Sequence, residues 1–299
     1  MRIVYVNGDF VPENEAKISI FDRGFLFADG VYEVTTVLDG KLVDYEGHSG
    51  RLRRSLSELQ MPFDLSDEAL LDIHRQLIEK NNLHEGLIYL QVTRGAAERD
   101  FVFPPEDTPN TLVLFSQDKP VVDSPLADRG QKIFTVEDQR WGRCDIKTVQ
   151  LLYPSLAKME AKSKGGDDAW LVRDGLVTEG SSNNAYIVLD NGTIVTRDLS
   201  NFILHGITRR AVLECARKLQ MKIEERPFTV EEAQFAVKFA MDWISARILQ
   251  LPAQWIWIDQ RTRKLGIWIW IGQRTREVED LDMDWPEVSG SYGFGYGLA

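Results

Sequence analysis

Cys144-Asp145-Ile146-Lys147, then Thr178-Glu179-Gly180-Ser181-Ser182-Asn183-Asn184, then Leu204-His205-Gly206-Ile207-Thr208-Arg209, form three short polar clusters in the second half of the chain. Each has an ordinary reading when taken alone. A lysine closing an apolar-polar alternation is usually a solvated surface residue. The run from Val177 to Asn184 reads as a hydrophilic turn after a strand. A glycine opening a helix exposes backbone N–H groups that can hold an anion, although most helix starts bind only water.

Outward from these clusters, periodicity predicts alternating short strands and helices. Lys132 to Val136 and Ala169 to Val172 read as strands, with a helix over Ser155 to Lys164 between them and a turn at Asp174-Gly175. Ala185 to Val188 and Thr193 to Thr196 flank Asp190-Asn191-Gly192, a strong hairpin signal. Gly206 to Leu219 is an amphipathic helix entered by a glycine. Met221 to Glu225 and Val237 to Ser245 read as further strands with a short helix between them.

The first half has the same mixture. Ile3 to Val6 is a strand, Asn7-Gly8 a hairpin turn and Phe10-Val11 its return. Val31 to Leu38 is rich in β-branched residues and closes at Asp39-Gly40. Leu52, Leu56 and Leu59 recur at helical spacing. Ser66-Asp67 caps a helix carrying Leu70, Leu71, Ile73, Leu77 and Ile78. Leu87 to Val92 and Thr111 to Phe115 are strands. Lys119 to Arg129, polar and with two prolines, is the best linker, so the domain boundary is placed near residues 117–125. The expected division is a small domain over 1–118, a large domain over 125–285 and an irregular tail over 286–299.

Length and composition bound the function. A chain of 299 residues fits two modest domains. A net charge of -11 argues against nucleic acid and acidic membrane as partners. No apolar run is long enough to cross a bilayer, and the N-terminus has no apolar segment of signal-peptide type. Two cysteines cannot build a disulfide framework, which makes a reduced, cytoplasmic setting the default. No metal-ligand spacing, Gly-x-Ser-x-Gly elbow, Walker loop or dinucleotide fingerprint is present.

In this order and spacing, the three clusters resemble the fold-type-IV enzymes that use pyridoxal 5′-phosphate (PLP). Phe21 to Val34 (FDRGFLFADGVYEV) and His48-x-x-Arg51-Leu52 add to the match, which runs from Tyr5 to about residue 246. The resemblance implies an α+β fold of two domains, with a small α/β N-terminal domain and a larger β-barrel-like C-terminal domain carrying helices. It implies an aminotransferase acting on amino acids and keto acids, and a homodimer. The text around Tyr32 looks most like the D-amino acid and (R)-amine members.

The residue roles follow from the same resemblance. Lys147 matches the lysine that carries PLP as a Schiff base and afterwards shuttles a proton. Glu179 matches the carboxylate that keeps the pyridine nitrogen protonated. Arg51, with Ile207 and Thr208 at a helix N-terminus, would hold the phosphate. Leu204 would pack against the ring, with Ser182 and Ser245 as further cofactor contacts. Tyr32, Arg99 and Arg140 would meet the substrate, Arg99 being supplied by the partner subunit. The family's Arg-x-His pair becomes Arg99-Asp100-Phe101 here, which weakens the carboxylate anchor and admits other substrates.

The resemblance breaks after residue 246. Arg247 stands where a small hydroxyl residue is expected, and Ile258-Asp259 lacks its following glycine. Six of the eight tryptophans lie beyond residue 240, and Trp-Ile-Trp-Ile occurs twice, which points to divergent or frame-shifted text. The expected function is transamination of D-amino acids with 2-oxoglutarate or pyruvate as acceptor. The alternatives are an (R)-amine or branched-chain transaminase, and a PLP-binding protein with little turnover because its C-terminal region is altered.

Overall fold

The computed structural model describes residues 1–121, 131–236, 238–241, 254–258 and 267–270. Six antiparallel strands build the first sheet: β1 (Ile3–Val6), β2 (Asp9–Pro12), β3 (Gly30–Leu38), β4 (Lys41–Leu42), β5 (Gly86–Thr93) and β6 (Thr111–Asp118). Their order is β2-β1-β6-β5-β3-β4. The first hairpin turns at Asn7 and Gly8, whose positive φ values of 50° and 112° explain the Asn-Gly pair.

Two helices cover this sheet, α2 (Tyr45–Glu58) and α3 (Asp67–Lys80), after a short α1 (Arg23–Phe27). Leu52 and Leu56 of α2, Leu70 and Leu77 of α3, and Val31, Ile88, Leu90 and Leu114 of the sheet form one buried core. Ser66 caps α3 by accepting the Ala69 N–H at 3.2 Å. The sequence pattern does not reveal α1, because Phe25, Leu26 and Phe27 lack helical periodicity. Its signal is Asp22, whose side chain accepts the Gly24 N–H at 2.8 Å.

In the second half, β7 (Ile133–Glu137) runs parallel to β8 (Asp168–Arg173), joined through α4 (Leu152–Ser163), and β9 (Leu176–Gly180) returns antiparallel to β8. Helix α4 starts earlier than Ser155 because Pro154 is tolerated in a first helical turn. A second six-stranded sheet has the order β12-β11-β10-β13-β14-β15. Its strands are β10 (Ala185–Val188), β11 (Ile194–Thr196), β12 (Ile223–Glu225), β13 (Lys238–Met241), β14 (Gln254–Ile258) and β15 (Ile267–Trp270). Helices α5 (Ile207–Lys218) and α6 (Val230–Phe235) complete the described elements. Ile133, Trp170 and Val177 of the three-stranded sheet share a core with Ile187, Val195 and Phe228, which locks the two sheets together.

The turn expected over Val177 to Asn184 is corrected in part. Val177 to Gly180 belong to β9 and are buried, and only the residues from Ser181 onward form the loop. Hydrophilic composition misled here because Glu179 is satisfied by partners distant in sequence. Gln254–Ile258 and Ile267–Trp270 pair as antiparallel strands, Trp255 opposite Trp270 and Trp257 opposite Trp268. Most of the linker, residues 122–130, and the tail over 286–299 lie outside the described residues, as do Ser245, Arg247 and Asp259.

Candidate active site

A cavity of about 510 Å³ opens between the first sheet with α2 and the elements of the second half. Lys147, Glu179, Arg51, Arg140, Tyr32, Ser182, Leu204, Ile207 and Thr208 all line it. Strands, loops and a helix start from both halves of the chain therefore converge on one space. Convergence of an amine, a buried acid, two guanidiniums and a helix start is not what solvated surface residues produce.

Lys147 sits on the loop between β7 and α4 and is tied to the first sheet. Its carbonyl accepts the Tyr32 N–H at 3.0 Å, and its own N–H donates to Ser55 Oγ at 3.3 Å. Ile146, beside it, is buried in the core of the first half. The Lys147 Nζ stands 4.1 Å from the centroid of the Tyr32 ring, a cation–π contact. Tyr32 is itself stacked on Tyr89.

Glu179 is 4% exposed. The Asn184 Nδ2 donates to its Oε2 at 2.9 Å, the Leu204 N–H donates to the same oxygen at 3.0 Å, and Arg140 Nη1 donates to Oε1. Burial raises the pKa of Glu179, with Arg140 pulling the other way. The sequence places Arg140 among the substrate residues. The structure sets Arg140 in the cavity wall and pairs its guanidinium with the Asp138 carboxylate at 2.9 Å and with Glu179. Asp138 is buried and also accepts Thr178 Oγ1 at 2.8 Å. Burial opposes the Arg140 charge, but the two carboxylates overcome it and raise its pKa.

Arg51 meets Glu33 through Nε at 2.8 Å and Nη2 at 2.7 Å, and its Nη1 donates to the His205 carbonyl at 3.3 Å. The fork that the sequence suggested for phosphate is thus engaged by a carboxylate. His48 Nδ1 lies 2.7 Å from the same Glu33. Burial favours a neutral Glu33, yet Arg51 and His48 win and lower its pKa to about 2.

At the helix start, Gly206 is the N-cap of α5. A Cβ there would stand 2.2 Å from Asn184 Oδ1, so only glycine lets the helix entry approach the residue that holds Glu179. The donor set fits PLP in kind. It offers an amine for the aldehyde, a buried acid for the pyridine nitrogen, cations and helix N–H groups for the phosphate, and Leu204 for the ring.

Arg99 is exposed and does not line this chain's own cavity; its guanidinium lies over Phe27 and Phe101. Ser245 lies outside the described residues. The sequence reading missed Glu33, Asn184 and Asp138 as site residues. The available signal for Glu33 was its place on the buried face of a strand, where a carboxylate requires a partner.

The amino-transferase class IV model matches residues 30–241. The D-alanine aminotransferase of Staphylococcus haemolyticus is 39% identical over 250 residues, covering 83% of this chain and 87% of that protein. That of Bacillus licheniformis is 36% identical over 233 residues, 78% and 81% respectively. Among solved structures, the branched-chain amino acid aminotransferase of Escherichia coli superposes with a TM-score of 0.72 at 21% identity, covering 81% of this chain and 82% of that one. The T.th. branched-chain amino acid aminotransferase, complexed with N-(5′-phosphopyridoxyl)-L-glutamate, gives 0.72 at 24% identity, covering 82% and 83%.

Proposed function

The chain belongs to the class IV amino-transferases, and from that premise we propose that it moves amino groups from D-amino acids to a 2-keto acid, 2-oxoglutarate or pyruvate, with PLP as cofactor. The observation that carries the reading is that Lys147 and Glu179 line the same cavity.

When bound, PLP draws electron density away from the substrate Cα and so makes its proton labile. Lys147 would supply the amine that holds the cofactor and, when free, the base that moves the substrate Cα proton. Glu179 would keep the pyridine nitrogen protonated. Its donors, Asn184, the Leu204 N–H and Arg140, hold it in place and favour its ionised form. Arg51, charge-paired with Glu33 yet lining the cavity, and the Ile207 and Thr208 N–H groups would hold the phosphate, with Ser182 and Ser245 as further contacts. Leu204 would pack against the ring, and Tyr32 would face the substrate.

Arg99 serves the site of a second copy in a homodimer. The support is the exposed apolar loop beside it, with Phe101 80% and Val102 73% exposed, together with its absence from its own cavity wall. Two domains, over 1–118 and 125–285 with a tail over 286–299, and a cytoplasmic setting complete the proposal. No described helix is long and apolar enough to cross a membrane.

The test is the absorbance spectrum of purified protein with PLP, followed by single-turnover reactions with D-alanine, L-leucine and (R)-phenylethylamine. Bleaching of the cofactor band by D-alanine supports the proposal. Bleaching only by one of the other donors would replace it with the branched-chain or (R)-amine reading. A band that no donor bleaches would point to a protein with little turnover.

A further inference from the structure

The face of α2 that carries Arg51 also grips the loop that carries Lys147. Residues 51, 54, 55 and 58 fall at i, i+3, i+4 and i+7, on one side of the helix. Ser55 accepts the Lys147 N–H at 3.3 Å. Arg54 donates from Nη1 to the Asp145 carbonyl at 2.9 Å and from Nη2 to the Asp145 carboxylate at 2.5 Å. Arg143 reaches the same carboxylate from Nε at 3.0 Å and from Nη2 at 3.1 Å, and Glu58 at 2.5 Å. Glu58 lies 4.0 Å from Arg54. Two cations and two carboxylates therefore alternate around a closed ring.

The ring is uneven. Arg54, Arg143 and Glu58 are 34%, 36% and 38% exposed, whereas Asp145 is 1% exposed. Exposed ion pairs of this kind add little stability. A buried carboxylate is different, because it must keep its partners and so restricts where they and its own backbone can lie. Asp145 is two residues before Lys147, and Arg54 is three residues after Arg51 on the helix. The Arg54–Asp145 contact is thus a short path between the Lys147 amine and the Arg51 guanidinium, which come from opposite halves of the chain.

We infer that Asp145 is a positioning residue, latched by Arg54 so that Lys147 is held at a set spacing from the Arg51 face of α2. The inference rests on the proposed role of Lys147. It requires that loosening the latch misplaces the amine without removing any group that binds substrate.

The test compares wild-type holoenzyme with Arg54→Met and Asp145→Asn. Three quantities are measured: kcat and KM with D-alanine, the rate at which borohydride fixes PLP on Lys147 (read from the mass of the lysine peptide), and the melting temperature. In Arg54→Met, kcat falls about tenfold to a hundredfold, as a small misplacement of a reacting group produces, while KM stays within about twofold. Fixation on Lys147 slows by a comparable factor, and melting falls only modestly, because the buried Asp145 carboxylate keeps Arg143 as a partner. Asp145→Asn has the larger effect on fixation where it folds; Arg54→Met carries the test where it does not. Folded Arg54→Met with kcat and fixation both within about twofold of wild type overturns the inference, as does a raised KM at unchanged kcat. Wild-type protein that fixes no PLP on Lys147 overturns the underlying reading and the inference with it.

Discussion

Tyr32 and Lys147 are joined twice: the Tyr32 N–H donates to the Lys147 carbonyl at 3.0 Å, and the Lys147 Nζ stands 4.1 Å from the centroid of the Tyr32 ring. The backbone bond fixes the loop against β3, and the ring supports the amine. Removing the ring is therefore expected to free the amine while the loop stays in place. Tyr32→Ala lowers kcat by about tenfold to a hundredfold, and Tyr32→Phe, which keeps the aromatic face, recovers much of it. Steady-state kinetics of the two variants check this. Equal losses in both would assign the effect to the hydroxyl instead.

Gly206→Ala places a methyl group 2.2 Å from Asn184 Oδ1. Asn184 must turn or α5 must shift, and either change disturbs the amide that donates to Glu179 at 2.9 Å. Cofactor affinity is expected to fall by about tenfold, the effect of losing one hydrogen bond to a charged group. Equilibrium titration of the apo protein with PLP, followed by absorbance, measures it.

Glu33 and Arg51 predict an acid-sensitive contribution to stability. The folded pKa of Glu33 is about 2, against an ordinary value of 4.5. The unfolded chain binds the proton more readily, so the contribution is fully present above about 4.5 and is lost as pH falls toward 2. Its size is on the order of 3 kcal/mol. Glu33→Gln removes the charge that balances a buried guanidinium and is expected to cost about 3–5 kcal/mol at neutral pH. Urea unfolding at pH 7 and pH 3 distinguishes this from an ordinary surface pair, whose loss is hard to detect.

His74 predicts a second and separate window. It is 2% exposed, with Nδ1 2.7 Å from the Leu70 carbonyl, and burial lowers its pKa to about 4. The folded state holds it neutral while the unfolded chain takes up a proton below 6.5. Stability from this group is therefore present above pH 6.5 and falls as the pH drops to about 4, by on the order of 3 kcal/mol. His74→Leu should flatten the pH dependence between those limits. An unchanged slope in denaturant midpoints at pH 7, 6 and 5 would remove His74 as its source.

Much of the fold was legible because it is written in local period. The strand-turn-strand text around Asn7-Gly8 and Asp190-Asn191-Gly192, the helix capped by Ser66 and the glycine-entered helix at Gly206 all appear where the pattern puts them. Helix α1 and strand β9 were not legible. The first is a single short turn held by Asp22, and the second carries polar residues whose partners are distant in the chain.

The candidate site divides along the same line. The clusters around Lys147, Glu179 and Gly206 suggested the chemistry through their resemblance to the fold-type-IV enzymes, which is carried by local text. The partners were decided only by tertiary structure: Arg140 turned to Asp138 and Glu179, Arg51 engaged by Glu33, and Asp145 latched to Arg54. Burial makes each charge seek whichever opposite charge the packed chain brings within reach. That choice depends on how strands and helices distant in sequence meet, and linear spacing carries no record of it.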